Sequence, residues 1–216
     1  MKFVIALALL AALILLYRRW VRASRLRYLD QFEIPAAVLE RTRAKRPELT
    51  QEQMHLVQQG LQQYFRICVA AGGRFASMPS QAVDDLWHEF ILFTRQYEQF
   101  CKRALGDYLH HTPVEAMPTR DTATEGIRRT WRLACNMEGI DPKHPQRLPL
   151  LFALDAQLGI AGGFIYTLNC KDAAASSGGA FCASHIGSCG GDSGGGDSGS
   201  SDGGSSCGSG CGGGGD

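Results

Sequence analysis

Along this chain, apolar residues recur at the spacing of helices and rarely at the period of two that marks strands. From Phe3 to Tyr17 no residue is charged and none breaks a helix. Carried on to Trp20, the run gives about 18 helical residues and about 27 Å, enough to cross a bilayer. Beyond it the pattern turns amphipathic. Pro35 opens a short stretch over Ala36 to Lys45. Thr50-Gln51-Glu52-Gln53 is a capping box, behind which Met54, Val57, Leu61, Tyr64, Phe65 and Cys68 share a face until Gly72-Gly73. Ser80, after Pro79, caps a helix read as continuous over 81–105, with Val83, Leu86, Trp87, Phe90, Tyr97 and Cys101 inward and Gly106 as its stop. Thr122-x-x-Glu125 starts another that ends at Gly139. Pro142, Pro145 and Pro149 stiffen a connector into a short last helix, Leu150 to Leu158, and Phe164 to Leu168 reads as a lone strand or one more helical turn.

The fold class expected from this pattern is all-α: a small bundle of four to five helices, preceded by one N-terminal transmembrane helix and followed by a disordered Gly/Ser-rich tail. The boundaries fall at 1–29 for the anchor and its basic juxtamembrane segment, 30–170 for the helical domain and 171–216 for the tail. The tail assignment rests on composition. Ala173 to Asp216 holds 17 Gly and 11 Ser with almost no large apolar side chains beyond Phe181 and Ile186, too little surface to offset the entropy of ordering. Cys182-x-x-His185-x-x-x-Cys189 and Cys207-x-x-x-Cys211 have spacings open to a soft metal but match no established zinc spacing, so a tether or interaction tail is the reading adopted.

Charge refines the picture in two ways. A formal net charge of +1 offers no basic face for nucleic acid, so none is expected as a partner. Arg18, Arg19, Arg22, Arg25 and Arg27 outweigh Lys2 on the other side of the apolar run, which by the positive-inside rule leaves the C-terminal domain in the cytoplasm. The apolar run leads directly into Arg18-Arg19 with no small-residue cleavage site, so an uncleaved anchor is preferred to a signal peptide. The localisation expected is a single-pass protein of the bacterial inner membrane, with residues 3–20 in the bilayer. In that compartment the eight cysteines are expected as free thiols.

Candidate chemistry gathers between Val83 and His111, which hold three of the six histidines. Asp84, Asp85 and His88 share a helical face, and a carboxylate beside an imidazole can fix its tautomer or share a metal with it. The bland alternative is acidic residues favouring a helix N-terminus and a core histidine beside Trp87. Cys101, His110 and His111 form a second possible group, because Gly106 lets the chain turn back towards the thiol. On one continuous helix about 20 Å of rise separates His88 from Cys101 and forbids a common ion; a kink near Phe93-Thr94 would lift that objection. No oxyanion donor or third orienting residue surrounds Cys101, so no catalytic residue is assigned.

The pattern Val83-Asp84-x-x-Trp87-His88, then Tyr97, Cys101, Gly106, His110 and His111, resembles that of bacterial glycine-rich domain-containing proteins, and its spacing is similar to a motif of plant glycine-rich domain proteins. The resemblance covers roughly Thr50 to Tyr166. It implies no reaction, but it implies that Asp84, His88, Tyr97, Cys101 and His110 act together. The plant motif has a second histidine two places after the first, and a proline, where this chain has Phe90 and Thr94. Two functions are therefore weighed. The first is a membrane-tethered, non-catalytic interaction or scaffold module with a protein partner. The alternative is a protein binding zinc or another transition metal, an enzyme among the options, through Asp84, His88, Cys101, His110 and His111, supported by Trp87 and Tyr97.

Overall fold

In the computed structural model, residues 1–112, 120–168 and 181–188 are described. The architecture is all-α. Helices α1 (Lys2–Gln31), α2 (Ala36–Lys45), α3 (Gln51–Ala71), α4 (Gln81–Leu92), α5 (Thr94–Ala104), α6 (Arg120–Met137) and α7 (Leu150–Leu158) are followed by two-residue strands β1 (Tyr166–Thr167) and β2 (Phe181–Cys182) and by α8 (Ala183–Ser188).

The apolar N-terminal stretch and the domain are joined by one helix. Of its 30 residues, the apolar N-terminal window is wholly unburied, while Leu29 is buried. Length and hydropathy make α1 the one described helix able to cross a membrane, a property that signal sequences share. Its C-terminal end belongs to the bundle. Tyr28 and Phe32 meet Phe100 at ring-centroid distances of 6.3 and 4.4 Å, and Phe32 also meets Phe90 at 5.7 Å. Arg25 lies over Gly106, whose φ of 88° and lack of a side chain let the guanidinium settle on the end of α5; a Cβ there would collide with it. An arginine counted in the sequence as juxtamembrane charge thus serves as a domain contact.

Helix α3 is the central element, packing against α1, α4, α6 and α7. Its predicted capping box is present: Gln53 N–H donates to Thr50 Oγ1 at 3.2 Å, and Thr50 N–H donates to Gln53 Oε1 at 2.9 Å. Gly60 gives α3 its close approach to the neighbours, since a Cβ there would strike Val83 at 2.8 Å and also Leu154. Around it Met54, Val57, Leu61, Phe90, Phe100, Trp131, Leu151 and Leu154 are buried. At about 25 cal/mol per Å² of apolar surface removed from water, this core supplies the main stabilising term.

Two expectations are corrected here. The helix read as continuous over 81–105 is broken at Phe93 (φ −83°, ψ 57°), which ends α4 and starts α5. The tail expected to stay free over 171–216 returns to the bundle in part: β2 pairs in parallel with β1, Ala183 is fully buried, and α8 packs on α6. A Cβ on Gly187 would strike the Pro142 carbonyl, so a glycine of the tail composition permits the docking. Residues 171–180 and 189–216, with the spacings that end at Cys189 and Cys211, lie outside the described residues. Cys68, Cys101 and Cys135 are free thiols as expected, but Cys182 is disulfide-bonded, and its partner lies outside the described residues.

Candidate metal centre

The site is built on α4, and the start of α4 is fixed by a carboxylate from another helix. Asp155, 1% exposed on α7, accepts from Ser80 Oγ at 2.7 Å, Gln81 N–H at 2.7 Å, Ala82 N–H at 3.2 Å and Phe164 N–H at 2.9 Å. Ser80 Oγ in turn accepts from Val83 N–H at 3.3 Å. The first-turn amides that a helix leaves unpaired are thereby satisfied, and a negative charge sits where the helix dipole favours it. One turn later Asp84 and His88 emerge on the same face, four residues apart.

The break at Phe93 and the turn at Gly106 deliver the third residue. Helix α5 folds back so that Trp87 Nε1–H donates to Tyr97 Oη at 3.0 Å, and Tyr97 Oη–H donates to the Leu109 carbonyl at 2.6 Å. The segment after α5 is pinned at Leu109 to Tyr97, which Trp87 ties to α4, and two residues on His111 arrives beside Asp84. His111 Nε2 lies 3.2 Å from Asp84 Oδ1, while His88 Nδ1 lies 3.2 Å from Asp84 Oδ2. The two imidazole rings are 4.1 Å apart, and Trp87 meets His111 edge-on at 4.9 Å.

Of the residues singled out in the sequence, Asp84, His88 and His111 therefore converge, with one donor atom from each lying within 4.8 Å of the others. The rest do not join them. His110 is exposed and turns to Tyr108, at 4.8 Å between rings. Cys101 is fully buried, and burial raises its thiol pKa, the opposite of what a ligand or nucleophile needs. Asp85, one residue from Asp84, points to α2, where Arg46 holds it through Nη2 at 2.6 Å and Nε at 2.8 Å. Trp87 and Tyr97 are buried supports. The sequence divided these residues into two clusters because the turn that unites His111 with Asp84 depends on tertiary hydrogen bonds and not on helical spacing.

The spacing of the three donors suits a metal ion. Tetrahedral zinc, bound at about 2.0–2.1 Å by nitrogen and oxygen, sets neighbouring donors about 3.3 Å apart; His88 Nδ1 stands 3.2 Å from Asp84 Oδ2 and His111 Nε2 3.2 Å from Asp84 Oδ1, and one donor atom of each residue lies within 4.8 Å of the others. Burial raises the Asp84 carboxyl above its usual range, and the flanking imidazoles of His88 and His111 pull it back down. The side chains of Asp84 and His111 are about one-fifth exposed and that of His88 is 43% exposed, so the trio faces open space. That space is a cavity of about 650 Å³. Three protein donors with a cavity in front is the arrangement of sites that keep a coordination position for water or a ligand, in contrast to closed four-ligand structural sites.

A family model described as UCP032817-like matches residues 24–186, a span that starts where α1 meets the bundle and ends in α8. No curated protein and no solved structure matches the chain.

Proposed function

The chain belongs to the UCP032817-like family, and from the geometry of its Asp84 site we propose that it is a membrane-anchored metal-binding protein. The ion is zinc or another divalent transition metal, held by Asp84 Oδ, His88 Nδ1 and His111 Nε2. The observation that carries this reading is the convergence of three donors from two separate elements on the wall of a cavity. A pure scaffold needs no such convergence. Two histidines and one carboxylate suit zinc and non-haem iron(II) alike, both of which use such sets with open positions. An ion bound there supplies Lewis acidity and activates coordinated water.

The proposal extends to placement. Residues 3–20 of α1 hold the chain in the bilayer, and Arg18, Arg19, Arg22 and Arg27, all exposed at its end, favour a cytoplasmic domain. The Cys182 disulfide pulls the other way, since such bonds persist in oxidising compartments. The arginine bias is preferred because it acts at the moment of insertion, before any thiol pairs. A reporter fused after Asp216 is expected to be active only in its cytoplasmic form; activity of an export-dependent reporter would reverse the orientation.

Elemental analysis of the detergent-solubilised full chain tests the site itself. One equivalent of zinc, iron or another transition metal is expected, reduced to background in His111→Ala and His88→Ala but retained in His110→Ala. A folded wild-type protein that takes up neither zinc nor cobalt on titration sinks the reading.

A further inference from the structure

The cavity beside the three donors has walls that say what kind of molecule fits it. Its volume of about 650 Å³ lies within the range of pockets for small organic ligands, about 300–1,000 Å³. Phe75, Met78, Trp87 and Phe164 supply apolar and aromatic surface, enough to desolvate a carbon skeleton. The same cavity carries one guanidinium, Arg74. Its Nε–H donates to the Ala71 carbonyl at 3.1 Å, which orients the fork, and no carboxylate among the described residues forms an ion pair with it. The acidic side chain of the lining outside the site, Asp107, already accepts from Tyr108 N–H at 2.8 Å. With a divalent ion bound, the two positive charges of the ion and the one of Arg74 stand against the two carboxylates Asp84 and Asp107, so the wall keeps one net positive charge.

We infer that the cavity takes a small organic anion, whose carboxylate or phosphoryl oxygens meet the metal at Asp84, His88 and His111 and the Arg74 guanidinium, and whose apolar body lies on Phe75, Met78 and Phe164. This rests on the metal reading. The two positive groups favour oxyanions over neutral or cationic molecules, because a fork of N–H donors matches the paired oxygens of a carboxylate or phosphate. The apolar walls favour an anion with a hydrocarbon or aromatic portion over an inorganic ion, which would leave them in contact with water.

The test uses the full chain in detergent, loaded with cobalt(II), whose visible spectrum reports changes in its ligands. Phenylphosphonate and benzoate are titrated separately, with inorganic phosphate as the comparison. At least one of the two organic anions is expected to shift the cobalt bands and to bind about tenfold more tightly than inorganic phosphate; which one responds assigns the phosphoryl or the carboxylate class. Arg74→Gln is expected to weaken that binding about tenfold with cobalt affinity unchanged, and Arg74→Lys to weaken it less. Cobalt binding with no response to either organic anion overturns this proposal and leaves the metal site standing. So does equal binding of inorganic phosphate, or an Arg74→Gln variant that binds as tightly as the wild type. Failure of the chain to take up cobalt overturns the metal reading and this one together.

Discussion

Two aspartates lie at the N-terminal end of α4, one on the helix and one reaching it from α7, and their surroundings differ in kind. Asp155 is closed in: four donors fill its two oxygens, and nothing is left for a ligand. Asp84 is half open: each oxygen faces one imidazole at 3.2 Å, and those imidazoles border a cavity. A buried carboxylate saturated by backbone amides and a hydroxyl does the work of a helix cap, whereas one flanked by two imidazoles keeps groups of a kind that can ligate a metal beside it. Burial alone would rank them the other way, since Asp155 is the more buried. What its partners are decides a carboxylate's role.

The largest effect that could break this comparison is on stability. Asp155→Ala leaves Ser80 Oγ and the amides of Gln81, Ala82 and Phe164 without their acceptor, and unsatisfied buried groups cost about 1–3 kcal/mol each, with losses that overlap. The expected loss is about 3–5 kcal/mol, measured by urea unfolding of the detergent-solubilised chain with chelator present. Under the same conditions Asp84→Ala, at a half-open site, is expected to cost about 1 kcal/mol or less, while abolishing metal uptake. Equal destabilisation by the two substitutions would make Asp84 a second structural carboxylate and remove the distinction.

Most of the bundle was legible in the sequence because local signals and tertiary packing agree there. The Thr50 capping box, the Ser80 cap and the glycines ending α3, α5 and α7 each act within a few residues. What the sequence hid is non-local. Nothing at Phe93 is a helix breaker by type; the break is where α5 turns to bring Phe100 against Phe32 and Phe65. Three of the five candidate ligands lie at the site, yet neither spacing nor charge distinguishes His111 from His110; the hydrogen bond from Tyr97 to Leu109 does. Composition likewise gave no warning that Phe181, Ala183 and Ile186 would dock, because three apolar residues are too few to mark a segment rich in Gly and Ser as ordered. They dock because β1 offers an edge that β2 pairs with and α6 a face that α8 packs on.

Tyr97 sharpens the comparison at an intermediate size of effect, because it belongs to the site without touching the donors. Its hydroxyl takes the Trp87 indole N–H and passes a hydrogen bond to Leu109, so Tyr97→Phe leaves one buried donor and one carbonyl unmatched. A stability loss of about 1–3 kcal/mol is expected. If the hydroxyl also sets the position of His111, metal affinity should fall about tenfold, as loss of outer supports does at other metal sites. Cobalt titration far below the unfolding temperature separates the two effects, since the protein is then fully folded in both forms. A variant that loses stability but keeps its cobalt affinity and spectrum would show that Tyr97 only packs.

The smallest effect concerns Glu89, the residue after His88, which faces α2. Its oxygens lie 2.6 Å from Arg41 Nε and 2.5 Å from Lys45 Nζ. These two cationic partners, Arg41 first, hold the Glu89 carboxyl below its usual value of 4.5. A folded-state pKa below the unfolded one means that the pair contributes stability above pH 4.5 and loses it as the pH falls through the lower, folded value. The wild type should therefore lose stability below pH 4.5, and Glu89→Gln should remove part of that slope. Both cations are more than half exposed, so salt screens the pair and the change should shrink as ionic strength rises. Metal affinity at neutral pH should be unaffected, because Glu89 lies about 100° around the helix from His88. If Glu89→Gln emptied the metal site as well, the contact between α2 and α4 would belong with Asp84, and the division between closed and open carboxylates would have to be redrawn along α4.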